Sequence, residues 1–145
     1  MENKYYEQIH RANLLMTDLD ALYHQAALKL GVSDSVLIVL YMIHEKGDRC
    51  RVYDICKGCG VSKQTINSAL RKLEGDGILY LEQDKGRKKR VCVTEKGKPY
   101  VERIAGRLLE AEGNVFSDWE EQEIIQFMEY AVRYTKAFSK QIEKL

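Results

Sequence analysis

The sequence predicts a mainly helical chain with one small β-hairpin, an α+β protein. Three observations carry that expectation. Proline is nearly absent, with Pro99 alone in 145 residues, so long uninterrupted helices are permitted. Both ends of the chain repeat apolar residues at alternating four-three spacing. Between them, two short helical segments flank a glycine turn and are followed by two strand-like runs around a basic loop. This middle pattern is a helix-turn-helix with a β-hairpin wing, and the flanking helices are expected to mediate dimerisation.

Taken in order, residues 3–30 read as one long helix. Tyr5, Ile9, Ala12, Met16, Leu19, Tyr23, Ala26 and Leu30 form a heptad-like stripe. Gly31 ends it. Ser33 is placed to cap a helix over 34–46, in which Val36, Leu37, Leu40, Tyr41 and Ile43 are apolar, and Gly47 stops it. A short helix follows near 52–57. Gly58-Cys59-Gly60 is expected to turn, because glycines tolerate the positive φ of a sharp reversal. Ser62 is the expected N-cap of a helix over 63–75, with Gly75 and Gly77 at its end.

Residues 78–83 and 90–94 have strand composition, joined by the glycine-containing loop 84–89. Thr94 is expected to cap a helix over 95–112. Ser117 and Glu120 fit a capping box for the last helix. Ile124, Met128, Ala131, Thr135, Phe138, Ile142 and Leu145 then repeat at four-three spacing. A chain of this length has little within itself to cover two such stripes, so pairing between two copies is expected.

The net charge of +1 hides an asymmetry. Residues 1–45 carry −3, residues 46–103 carry +7 and residues 104–145 carry −3. The positive centre coincides with the helix-turn-helix and hairpin, as a nucleic-acid footprint requires. The composition excludes collagen, a disordered tail and a disulfide scaffold. No export signal or membrane-length apolar run is evident, and four cysteines without a signal peptide are expected to be reduced thiols in the cytoplasm.

On the second helix of the motif, Ile66, Ala69, Leu70 and Leu73 make an inward face. The outward face holds Ser62, Lys63, Gln64, Thr65, Asn67, Ser68, Arg71 and Lys72. Gln64 and Asn67 suit bidentate pairing with adenine. Lys63 and Arg71 suit guanine or phosphate, and Thr65 and Ser68 suit phosphate or a thymine methyl. The hairpin supplies Lys85, Arg87, Lys88, Lys89 and Arg90, a cluster suited to the phosphate backbone, with Arg87 aimed at the minor groove.

The run Ser62 to Gly77, with its exit Arg71-Lys72-Leu73-Glu74-Gly75-Asp76-Gly77, resembles the MarR family of transcriptional regulators. So does Val93-Thr94-Glu95-Lys96-Gly97 after the wing. The resemblance extends over the whole chain in length and helix order. It implies one MarR-like domain over 1–145, with a winged helix-turn-helix lobe at about 33–100 and dimerisation helices at about 3–30 and 101–145. It also implies a homodimer on a pseudo-palindromic DNA operator, repression as the usual outcome, and release by a small aromatic effector. Many members carry Asp-x-Arg in the wing; here the segment is Lys85-Gly86-Arg87, so the acid is missing.

Tyr23, His24, Tyr41 and His44 are the candidate lining of an effector pocket, since tyrosine and histidine pair an apolar body with a polar tip. Ordinary core packing is the plainer reading. Cys56 and Cys59 form a C-x-x-C that reads as two small buried hydrophobes, as a thiol switch beside the DNA-reading helix, or as half of a zinc site. The first is favoured, and no metal or cofactor is expected. A winged helix that binds protein rather than DNA is the alternative function class, disfavoured by the acid-poor helix face. No nucleophile–base constellation suggests an enzyme.

Overall fold

The computed structural model describes residues 4–83, 86 and 89–145. The chain divides into two units, residues 1–109 and 110–145. In the first, α1 (Tyr6–Leu30) is followed by α2 (Asp34–Glu45), β1 (Arg49–Arg51), α3 (Val52–Gly58) and α4 (Lys63–Gly75). Strands β2 (Leu79–Gln83) and β3 (Lys89–Val93) come next. Helix α5 (Lys98–Val101) then runs through a π-helical turn (Glu102–Gly106) into α6 (Arg107–Asn114). Helix α7 (Glu121–Ile142) dominates the second unit. Among the described residues no single helix is long and apolar enough to cross a membrane.

The first unit is organised around α2. Val36, Leu37, Val39, Leu40 and Ile43 are all buried, so this helix is apolar around most of its circumference and forms the centre of the core. Ile55 from α3, Ile66 and Leu73 from α4, Val91 from β3, and Val101 and Ile104 close around it. The Ser33 cap is made as expected, its Oγ accepting from the Val36 N–H at 3.3 Å. Helices α1 and α2 meet at 92°.

Strand β1 was not expected. It is three residues long and two of them are arginines, so neither its length nor its composition announces a strand. It pairs antiparallel with β3, giving the order β1-β3-β2, with Arg49 opposite Cys92 and Cys50 opposite Val91. Alternation then sends Cys50 and Val91 into the core and Arg49, Tyr80, Glu82 and Cys92 to the other face. There the Arg49 guanidinium donates to Glu82 Oε2 at 2.7 Å, and Cys92 Sγ lies 3.6 Å from the same oxygen. Cys92 faces away from Val91 and Val93, yet it is buried as they are.

Several boundaries differ from the sequence reading. Strand β3 starts at Lys89, so Lys89 belongs to the strand rather than the loop, while Arg90 stands in the strand as expected. Only Gly60 of the Gly58–Gly60 turn takes a positive φ, +63°; Gly58 is the last residue of α3, with the tip of Met42 against it. The helix expected from residue 95 starts at Lys98, because Thr94 Oγ1 accepts from the Gly97 N–H at 2.9 Å and closes a turn first. The capping box of α7 is Glu120 with Glu123, not Ser117 with Glu120. The Ser117 hydroxyl donates instead to the Asn114 carbonyl at 2.8 Å, and residues 115–118 are turn.

The two segments that carried the family resemblance lie against each other. Thr94 Oγ1 donates to the Gly77 and Ile78 carbonyls at 2.6 and 3.1 Å, and Lys96 Nζ donates to the Asp76 carbonyl at 3.3 Å. A Cβ on Gly97 would overlap the Ile78 carbonyl oxygen. This joint locks the exit of α4 to the end of β3, which sets the helix and the wing at a fixed angle. Gly97→Ala is expected to cost about 1–3 kcal/mol by forcing that backbone apart. Urea unfolding should show a lower midpoint at unchanged slope.

Burial, with the Asp54 carboxylate adding to it, pushes the Cys50 thiol from 9.0 to about 11. Between those values the unfolded chain binds fewer protons than the folded one, so stability falls as pH rises. Across pH 9 to 11 the protein is expected to lose about 2 kcal/mol more than Cys50→Ala does. Denaturant unfolding at stepped pH measures the difference.

In the second unit, Phe116, Trp119 and Phe127 form an edge-on aromatic cluster at the start of α7, with ring centroids 5.3 to 6.2 Å apart. Beyond it α7 has no buried residue. Met128, Val132, Tyr134, Phe138 and Ile142 are all about half exposed. Helix α1 behaves alike: Ile9, Leu15, Met16 and Leu19 are exposed, and Ala27 is its one buried residue.

Candidate nucleic-acid interface

Helix α4 is built to present one face outward. Ile66, Ala69, Leu70 and Leu73 are buried at i, i+3, i+4 and i+7 and hold the helix on the core. Ser62 caps it, its Oγ accepting from the Thr65 N–H at 3.2 Å and lying 2.8 Å from Thr65 Oγ1. The first turn contains no acidic residue. The positive end of the helix dipole and its unpaired N–H groups therefore face outward without a competing carboxylate.

Lys63, Gln64, Thr65, Ser68, Arg71 and Lys72 are exposed, and Asn67 is half-buried. Ser68 Oγ donates to the Gln64 carbonyl at 3.0 Å, so its proton is engaged within the helix. Ser62 is likewise engaged as the cap. Lys63, Arg71 and Lys72 make no ion pair among the described residues.

A groove of about 1060 Å³ runs between α3, α4 and β3. Lys63 and Asn67 line it from α4 and Lys89 from β3, together with Arg51, Val52, Tyr53, Cys56 and Lys57. Four cations thus surround one concavity, and no acid lines it among the described residues. Arg49, two residues before Arg51, does not line the groove; its guanidinium is paired with Glu82. Such a groove suits a polyanion whose phosphates lie along its rim.

Arg51, Tyr53 and Lys57 were missed by the sequence reading, which looked only at the second helix and the hairpin. A signal existed. Tyr53 and Lys57 are at i and i+4 on α3, on a different side from the buried Ile55, and Arg51 immediately precedes the helix. Lys85, Arg87 and Lys88, expected at the tip of the wing, lie outside the described residues. Gly86 between them has φ +84°, as a tight hairpin needs. Arg90 is half-buried in β3.

A second cavity, of about 500 Å³, lies between α1 and α2. Tyr23, His24 and Tyr41 line it, as do Cys59 and Leu108. His44 does not. It faces the other way, its Nδ1 3.0 Å from Asp48 Oδ1 and its Nε2 3.6 Å from Glu102 Oε2, because three residues beyond Tyr41 its side chain meets the π-helical turn. Cys56 lines the basic groove and Cys59 the α1–α2 cavity; Cys59 Sγ is 4.0 Å from the Cys56 carbonyl, and all four cysteines are free.

Residues 30–90, which contain α2, α3, α4, β2 and the first residues of β3, match the sequence model of the MarR family. Over these residues the winged lobe is similar to MarR-family domains. The whole chain also has the fold of solved MarR structures. A MarR family regulator from Neisseria meningitidis superposes with a TM-score of 0.77 at 20% identity, covering 99% of each chain. A MarR family transcriptional regulator from Silicibacter pomeroyi gives 0.70 at 22% identity, over 88% of this chain and 86% of its own. MepR from S. aureus, solved in complex with DNA, gives 0.68 at 20% identity, over 94% and 99%. No curated protein matches the chain. In this MarR-type lobe the basic groove lies beside the outward face of α4.

Proposed function

We propose that the protein is a sequence-specific DNA-binding transcriptional regulator that acts as a homodimer on a pseudo-palindromic operator. The observation that carries this reading is the groove in which Arg51, Lys57, Lys63 and Lys89 surround Asn67 beside an acid-free helix N-terminus. Helix α4 enters the major groove. Gln64, Asn67 and Arg71 read base edges, while Arg51, Lys57, Lys63, Lys72 and Lys89 hold phosphates. Tyr53, 69% exposed at the rim, donates its hydroxyl to a phosphate. The wing residues Lys85, Arg87 and Lys88 extend the contact along the backbone.

The exposed apolar faces of α1 and α7 support pairing of two copies. Pairing places two α4 helices roughly 34–36 Å apart, one turn of duplex, and makes binding depend on that spacing. A small aromatic effector in the α1–α2 cavity acts on this geometry. Met42, in the wall, packs on Gly58, and Gly58 begins the turn that ends in the Ser62 cap of α4. A ligand that displaces Met42 therefore moves the reading helix, and repression is relieved.

Selection of bound duplexes from a random library tests the reading. The expected product is an inverted repeat with half-sites about 10 bp apart. Recovery of unpatterned sequence would refute sequence-specific dimeric recognition.

A further inference from the structure

We infer that the α1–α2 cavity takes a lipophilic cation. This rests on the reading of that cavity as the effector site and names the chemistry of its ligand. Helix α1 contributes Asp20, Tyr23 and His24 at i, i+3 and i+4, one face of the helix. Helix α2 contributes Asp34 and Tyr41 at the same cleft, with Leu37, Ile38 and Met42 between and beside them. Two carboxylates thus line a partly apolar cavity, and no lysine or arginine lines it among the described residues.

The two acids differ. Asp34 accepts from His24, whose Nδ1 is 2.9 Å from both carboxylate oxygens. Asp20 has no hydrogen-bond or ion-pair partner among the described residues. Its charge is available to a ligand. An anionic aromatic would enter a cleft whose one histidine, His24, is already engaged by Asp34, and would meet the carboxylate of Asp20 beside it. A cation gains Coulomb attraction from Asp20 and can lie over the tyrosine faces, whose quadrupole attracts positive charge. The side chains of Leu37, Ile38 and Met42 take up its hydrocarbon part. The volume of about 500 Å³ lies in the range of drug-sized sites.

Tetraphenylphosphonium and tetraphenylborate are nearly equal in size and shape and opposite in charge, so titration calorimetry of the intact protein with each, in sodium buffer, isolates the effect of charge. The phosphonium is expected to bind roughly tenfold more tightly than the borate. Asp20→Asn should remove most of that preference and Asp20→Lys should reverse it; position 20 is exposed, so neither change threatens folding. Ile38→Trp fills the cleft and should abolish binding of both ions. Equal or tighter borate binding that Ile38→Trp removes would overturn the cationic class while leaving the effector cavity standing. Phosphonium binding that survives Ile38→Trp, or no binding of either ion, would overturn both.

Discussion

Phe138→Glu and Leu19→Glu are each expected to convert the protein from a dimer to a 16.8 kDa monomer at micromolar concentration. Phe138 is 55% exposed and stacks on Tyr134, with centroids 6.2 Å apart; Leu19 is 52% exposed in the stripe of α1. Neither supports the core of its own chain, so a glutamate there costs the isolated fold little. In a dimer that buries these faces, the same glutamate must lose its water without a partner. That penalty and the lost apolar contact come to about 3–4 kcal/mol, several hundredfold in the dimer dissociation constant. Sedimentation equilibrium gives the mass, and circular dichroism should show unchanged helix content. Operator affinity should fall with the dimer, because one reading helix then works alone.

Asn67→Ala is expected to give the largest loss of sequence discrimination. Asn67 is the half-buried polar residue on the outer face of α4, inside the basic groove, flanked on the helix by the buried Ile66 and the exposed Ser68. A bidentate amide contact to adenine contributes about 1–3 kcal/mol of discrimination, and a two-fold operator makes it twice. Competition between operator and random duplex measures the ratio. The ratio should collapse while random-duplex affinity stays near wild type, since no charge has changed. Lys57→Ala should do the opposite, weakening both duplexes alike.

The elements that could be read from sequence are those whose signals are local. The Ser33 and Ser62 caps and the apolar face of α4 rest on residues within one or two turns, and they stand where expected. What sequence could not reveal depends on partners distant in the chain. Strand β1 exists because β3, some forty residues on, supplies its hydrogen bonds. Helix α5 begins late because Gly97 must lie against Ile78. The α7 cap shifted because two acid-containing boxes compete within seven residues and Ser117 is held in the preceding turn. At the site, α4 was legible because its two faces differ in polarity. Arg51, Tyr53 and Lys57 were not, since only the fold brings them beside Lys63 and Lys89. Likewise, Tyr41 and His44 are three residues apart on α2 yet serve different surroundings, which spacing alone does not separate.

The salt dependence of duplex binding tests the central claim most directly. The four groove cations per chain, doubled in a dimer, are expected to contribute about −7 to the slope of log affinity against log salt. Lys57→Ala should reduce that slope by about two, one phosphate for each chain. A slope near zero, or one that Lys57→Ala and Lys63→Ala leave unchanged, would contradict the assignment of this groove to DNA.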